Sequence, residues 1–371
     1  MNKKGKKILI LVPGENARGG IMNYYKVLNG KFHLNVKYLY RGSRNWPNRK
    51  NIFEELIRIM QDYFSFLRLI KTREFGLIQT TTSFLKFSLI RYAIFLLIAK
   101  SHNLKVIVFF HGWDDTLADK IENSNLKLAI FKWAYFKSDA IIDLANRNVN
   151  RILKWGYSKP VYLETTAVDV ELLKDINETF LIKKFVDHSE CYNLLFLARV
   201  EIPKGIYEAI DAYKLLIDEG IKVSMTIAGD GTELRKVKTY ISQNKINQIN
   251  LKGYIQGDEK IETYKTADYY IFPSYFEGMP TSVLEAMAFG LPVITRSVGG
   301  LNDFFKNEIN GFITESKDPT EFANFIRKLL SNNELVKNIS VNNYFYAQEH
   351  FLSDKVIKRI EKIFTEVISS K

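Results

Sequence analysis

Short apolar runs alternate along this chain with longer stretches in which apolar residues recur at helical spacing. The runs Lys7–Val12, Val36–Tyr40, Leu77–Gln79, Val106–Phe110 and Ala140–Asp143 predict strands in the first half. Tyr192–Leu197, Val223–Ala228, Ile249–Lys252, Tyr269–Phe272 and Pro292–Thr295 predict strands in the second. Helical patterns such as Asn51–Lys71, Ile206–Glu219 and Glu233–Asn244 lie between them. Strands alternating with helices predict an α/β fold in which helices cover parallel sheets. The number of runs predicts two doubly wound domains. Between them, Thr165–His188 lacks a strand pattern and turns polar toward its end, so the hinge is expected there. The first domain is then 1–170 and the second 171–351. Open α/β sheets bind ligands beyond the carboxyl ends of their strands, so a central cleft between two facing domains is the expected site.

Bulk composition agrees with this and adds a charge asymmetry. A chain of 371 residues suits two cores rather than one. With 46% apolar and 25% charged residues it reads as globular. The single cysteine, Cys191, excludes a disulfide scaffold and a cysteine-rich metal site and fits a reducing, cytoplasmic compartment. The start, MNKKGKKILILVPGEN, opens like a signal peptide, but the apolar run Ile8–Val12 is too short and leads into a Gly-rich loop, as a first strand would.

Of the net charge of +12, residues 1–170 carry +15 and the remainder −3. A basic half implies an anionic partner, nucleic acid or membrane. With no helix-turn-helix, RNP or zinc motif, nucleic acid is not expected. Two stretches of the basic half, Phe84–Ala99 and Leu126–Lys137, mix large apolar residues with Lys and Arg. Charges interrupt both, so neither spans a bilayer. Each reads equally as a helix lying in a membrane interface or as a core helix with snorkelling cations.

The segment Pro273–Ile294 carries the most chemistry. A strand ends near Pro273, a loop holds Glu277, Gly278 and Pro280, and a helix starts near Thr281 or Ser282 and stops at Gly290. A helix N-terminus after such a loop attracts an anion, and carboxylates accept hydrogen bonds from hydroxyls, so a sugar nucleotide suits the segment. Ser282-Val-Leu-Glu285 also reads as a capping box, with Glu285 serving only the helix.

The whole segment resembles the signature of the retaining family 4, or group 1, glycosyltransferases, whose hallmark is two glutamates eight positions apart, here Glu277 and Glu285. The resemblance implies two Rossmann-like domains in the GT-B arrangement, with a final helix at about 352–371 packing back on the first. It implies that Glu277 holds donor-sugar hydroxyls, that Gly278, Met279, Pro280 and Thr281 contact the donor, and that Glu285 holds the ribose. Leu197-Ala-Arg-Val-Glu-Ile-Pro-Lys-Gly205 is similar to the family's diphosphate clamp, which implies that Arg199 and Lys204 hold the leaving group; Ala198 stands where the family usually has Gly. Ala228–Leu234 resembles its Gly-rich turn near the nucleoside, which puts Gly229 there. Leu251–Ile255 resembles the turn that meets the base, which puts Tyr254 there. Gly19 and Gly20, after Arg18, match the loop brought near the diphosphate, although Ile21 and Met22 replace the glutamate that often follows.

His111, in Phe109-Phe-His-Gly-Trp, matches the histidine placed against the sugar's reacting face. The neighbouring Asp114 and Asp115 are not expected to bind a metal, and Thr165–Asp169 keeps only Val-Asp of the family's linker motif. The resemblance therefore implies a UDP- or GDP-linked donor, no metal or other cofactor, and transfer of a hexose-type sugar. With the basic half, it leads to the expectation of a lipid-linked glycan acceptor in O-antigen or capsule synthesis, with the protein peripheral on the inner face of the membrane. The same fold also hosts epimerases, hydrolases and catalytically silent binders.

Overall fold

The computed structural model describes residues 6–370 except 16, 18, 43–51 and 187–190; Arg18, Asn51 and His188 thus lie outside the described residues. The described chain divides into two compact units, 1–166 with 353–371, and 167–352.

The first unit runs β1 (Lys7–Pro13), α1 (Gly20–Leu28), β2 (Val36–Arg41), α2 (Ile52–Ile70), β3 (Phe75–Phe84), α3 (Lys86–Ser101), β4 (Lys105–Trp113), α4 (Asp115–Glu122), α5 (Asn125–Tyr135), β5 (Ala140–Asp143), α6 (Asn146–Lys154) and β6 (Val161–Leu163). The second runs α7 (Glu178–Val186), β7 (Tyr192–Leu197), α8 (Ile206–Asp218), β8 (Val223–Ala228), α9 (Leu234–Gln243), β9 (Ile249–Gly253), α10 (Gly257–Lys265), β10 (Tyr269–Phe272), α11 (Thr281–Ala288), β11 (Val293–Arg296), β12 (Gly311–Thr314), α12 (Pro319–Leu330) and α13 (Asn333–His350). α14 (Ser353–Ser369) then returns to the first unit.

Each unit holds one parallel six-stranded sheet, ordered β2-β1-β3-β4-β5-β6 and β12-β11-β10-β7-β8-β9. In each, the chain winds one way from one strand and the other way from its neighbour. The order reverses between β1 and β3 and between β7 and β10, and such reversals open a crevice at the carboxyl edge.

Strands buried on both faces read as continuous apolar runs, which is why most were legible. β6 and β12 carried no such signal, being three and four residues long at sheet edges. β3 is ten residues rather than three because Thr80, Thr81 and Thr82 continue it. Threonine is β-branched and suits a strand, and its hydroxyl needs a buried partner. Thr80 and Thr82 meet at 3.0 Å, and Thr81 donates to the Leu11 carbonyl at 2.7 Å. β4 likewise runs on to Trp113, so His111 lies inside the strand and not at its end. The pairing of β3 with β4 slips there: Thr82 faces Phe110 and Ser83 faces Gly112, which leaves His111 as a bulge.

α14 completes the first unit. Val356, Ile360, Phe364 and Val367 recur on its buried face. Glu361 accepts the backbone N–H groups of His33 and Leu34, and Arg359 pairs with Glu164, whose side chain is 3% exposed.

Candidate active site

In the second unit the candidate residues gather at the reversal between β7 and β10. Backbone contact explains the glycines. Gly205 has φ +73°, and a β-carbon there would stand 2.2 Å from the Pro273 carbonyl oxygen. The loop after β7 therefore lies against the loop after β10, and the Tyr275 N–H donates to the Pro203 carbonyl across them. Gly229 faces Ala198 in the same way, so the Gly-rich turn after β8 closes on the other side.

This packing brings Lys204 and Glu277 together. Lys204 Nζ lies 2.5 Å from Glu277 Oε1, and each side chain is about 15% exposed. Ser274, fully buried, donates to the same oxygen at 2.8 Å. Glu277 Oε2 takes no hydrogen bond from the described residues. Arg199 projects farther out, with its side chain 59% exposed and Nη1 on Glu201 at 2.8 Å. A largely buried cation–carboxylate pair and an exposed guanidinium thus stand at one crevice.

Gly278 and Met279 follow, and Pro280 precedes the first residue of α11, Thr281. No side chain caps this helix and no acidic residue lies in its first turn, so its N-terminal N–H groups and dipole favour an anion. Glu285 is not part of a capping box: Ser282 lies inside the helix and contacts the Tyr270 hydroxyl. Instead Glu285, 3% exposed, pairs with Lys260 of α10 at 2.6 Å and accepts from the Tyr264 hydroxyl at 2.8 Å. Both oxygens are held from the α10 side. Tyr254 is exposed beyond β9, and the Gly253 carbonyl accepts from Gly229 N–H.

In the first unit, Gly19 (φ +137°) precedes α1, and a β-carbon on Gly19 or Gly20 would meet no atom of the other described residues within 4 Å. Glycine at position 20 is thus not demanded by the chain's own packing. His111 lies beneath α1 and is 8% exposed. The Tyr25 hydroxyl hydrogen-bonds with Gln79 at 2.7 Å and with His111 Nε2 at 2.9 Å. Burial lowers the His111 pKa to about 3, which keeps the ring neutral. Asp114 caps α4 through the Leu117 N–H, and Asp115 pairs with Arg147 and Arg151.

Each of the two ambiguous stretches is a helix with one buried and one exposed set of apolar residues. α3 buries Leu89, Tyr92, Phe95 and Leu96 but exposes Phe87, Ile90 and Ile94. α5 buries Phe131 and Tyr135 but exposes Leu126, Ile130 and Trp133. α2, not singled out from sequence, exposes Phe53, Leu56, Ile57, Met60 and Phe64. Among the described residues no helix is long and apolar enough to cross a membrane.

Ser274, Tyr270, Lys260 and Tyr264 were also missed. Ser274 alone left a signal, a polar residue immediately after a strand and three before Glu277.

Two parallel, doubly wound α/β units are the elements of the GT-B fold. The chain resembles in fold the Anabaena protein HepE, crystallised with UDP-glucose, at a TM-score of 0.72 and 16% identity, over 98% of this chain and all of that one. Residues 178–344 match the family model described as glycosyl transferases group 1. Among relatives, an uncharacterised glycosyltransferase of Methanocaldococcus jannaschii is 26% identical over 91% of this chain and 86% of its own length. The Escherichia coli UDP-Gal:α-D-GlcNAc-diphosphoundecaprenol α-1,3-galactosyltransferase is 25% identical over 83% of this chain and 79% of its own.

Proposed function

We propose that the chain is a retaining enzyme that moves a hexose-type sugar from a UDP- or GDP-linked donor to a hydroxyl of a lipid-linked glycan, in bacterial surface polysaccharide synthesis of the O-antigen or capsule type. The observation that carries the reading is the Lys204–Glu277 pair at the β7–β10 reversal. In this reading Lys204 and Arg199 hold the donor diphosphate, with the α11 N-terminus and the Gly19–Gly20 loop. Glu277 accepts hydroxyls of the sugar through Oε2, Glu285 holds the ribose, and the Gly229 and Tyr254 turns meet the nucleoside.

The acceptor oxygen attacks C1 from the face the phosphate leaves. The C1–O bond to phosphate breaks through an oxocarbenium-like state, and the departing phosphate oxygen takes the acceptor's proton. Charge grows on that phosphate in the transition state, where preplaced cations stabilise it. His111 enters as a neutral ring at the sugar's reacting face. No metal takes part.

The exposed apolar stripes of α2, α3 and α5, with lysines 86, 127, 132 and 137 on α3 and around α5, support docking on an anionic membrane surface at its inner face. A related enzyme acting on a diphosphoundecaprenol-linked sugar supports a lipid-linked acceptor.

A thermal-shift screen against nucleoside diphosphates and their sugars tests the donor. Stabilisation by UDP or GDP and their hexose conjugates, followed by an α-anomeric product from an α-linked donor, is expected. An inverted product, or no response across the panel, sinks the reading.

A further inference from the structure

The carboxyl edge of the first sheet holds a second set of charges. Arg41 closes β2, in register with Pro13 at the end of β1. Its side chain is nine-tenths buried, and its guanidinium lies 4.4 Å over the Tyr92 ring. Arg58 of α2 stands against the next residue, since a side chain at Gly42 would overlap its guanidinium. Arg91 of α3, adjacent to Tyr92, shares Glu55 Oε1 with Arg58. Asp62 takes the Gly42 N–H through Oδ1.

Among the described residues three guanidiniums therefore face two carboxylates, with one positive charge in excess. Burial, and then the neighbouring Arg41 and Arg58, pull the Arg91 pKa below its usual value, as crowded cations do. Among the described residues, Nε of Arg41, Arg58 and Arg91 is buried without a hydrogen-bond partner. Buried donors of this kind normally have acceptors, and three planar guanidiniums match the oxygens of a phosphate. One ionised phosphate balances the excess charge.

The helices that deliver Arg58 and Arg91 also carry exposed apolar stripes, which suits a phosphate attached to a hydrocarbon chain. We propose that Arg41, Arg58 and Arg91 bind one phosphate of a phosphate- or diphosphate-linked lipid acceptor, whose chain lies along α2 and α3. This rests on the lipid-linked acceptor of the preceding section.

Binding of farnesyl diphosphate, farnesol and inorganic phosphate is measured at low salt in a Lys204→Ala background, which disables the donor's own phosphate site. Farnesyl diphosphate is expected to bind at least ten-fold tighter than farnesol. Arg91→Gln and Arg58→Gln, on separate helices so that one misfolded variant leaves the other, should each cut that ratio several-fold, and Arg91→Lys should restore part of it. A ratio untouched by both Gln variants overturns the site. Inorganic phosphate binding as tightly as the farnesyl ester overturns the lipid assignment. Should the Arg-dependent ratio hold while the protein ignores anionic vesicles, the membrane reading fails and the phosphate site stands.

Discussion

At the scale of single residues, Glu277 and Glu285 are held differently. Among the described residues none donates to Glu277 Oε2, whereas both oxygens of Glu285 are engaged. Glu277→Ala should leave nucleotide affinity within about two-fold and lower turnover by roughly 10²–10³; steady-state kinetics with unchanged turnover would remove Glu277 from the chemistry. Glu285→Gln keeps the Tyr264 bond but leaves Lys260, 17% exposed, without its counter-charge. Breaking such a pair should cost roughly 2 kcal/mol in urea denaturation, discounted for exposure from the buried-pair range. A weaker donor KM at unchanged stability would show the ion pair idle.

His111 makes a pH prediction. Its folded pKa of about 3 lies below the unfolded value of ~6.5, so below pH 6.5 the unfolded chain gains a proton that the folded one refuses. Stability is therefore full above that pH and is lost as pH falls toward 3, by about 1 kcal/mol per unit. His111→Gln keeps a polar partner for Tyr25 and should flatten the loss between pH 6.5 and 5; an identical loss in wild type and variant refutes the assignment. The sequence placed His111 and Glu277 near strand ends because strands announce themselves by apolar runs. It was silent on the partners Tyr25, Lys260 and Tyr264, because hydrogen bonds between distant segments leave no local pattern.

At the scale of elements, what was legible followed burial. Four strands, β5, β7, β8 and β10, run as the apolar pattern predicts because both faces are covered. The short edge strands had no pattern to read, and in β3 threonine's polarity hid its β-branching. The capping box failed for a related reason: a four-residue pattern fits any helix start within a turn, and Pro280 set the start earlier than the box requires. α14 shows the cost of a missing element. Arg359 is the ion-pair partner of the buried Glu164 carboxylate, whose pKa burial raises and Arg359 lowers. Arg359→Ala should destabilise the first unit by roughly 2–3 kcal/mol. Hydrogen exchange should quicken in β1–β6 and not in β7–β12; equal quickening in both sheets would count against it.

At the scale of the molecule, the charge asymmetry and the exposed apolar stripes fall in the same unit. Composition showed the first. The second needed the structure, since periodicity cannot tell a helix buried on two faces from one buried on a single face. Binding to vesicles with anionic lipid should be measurable by sedimentation at low salt and should weaken as salt rises through about 0.15 M, where screening reaches about 8 Å. Trp133→Ser with Ile130→Ser should weaken it further at every salt concentration. Sedimentation that is indifferent to lipid charge and to both changes would leave the stripes without this role.

The return of α14 to the first unit has a consequence for biosynthesis. Residues 353–371 leave the ribosome after the whole of 167–352, yet they cover the sheet that β1 begins. Of the two units, the earlier to start is therefore the later to finish. Throughout the translation of the second unit, the face that Val356, Ile360 and Phe364 will cover stays open, and a chain cut short near residue 352 spoils the domain at its opposite end.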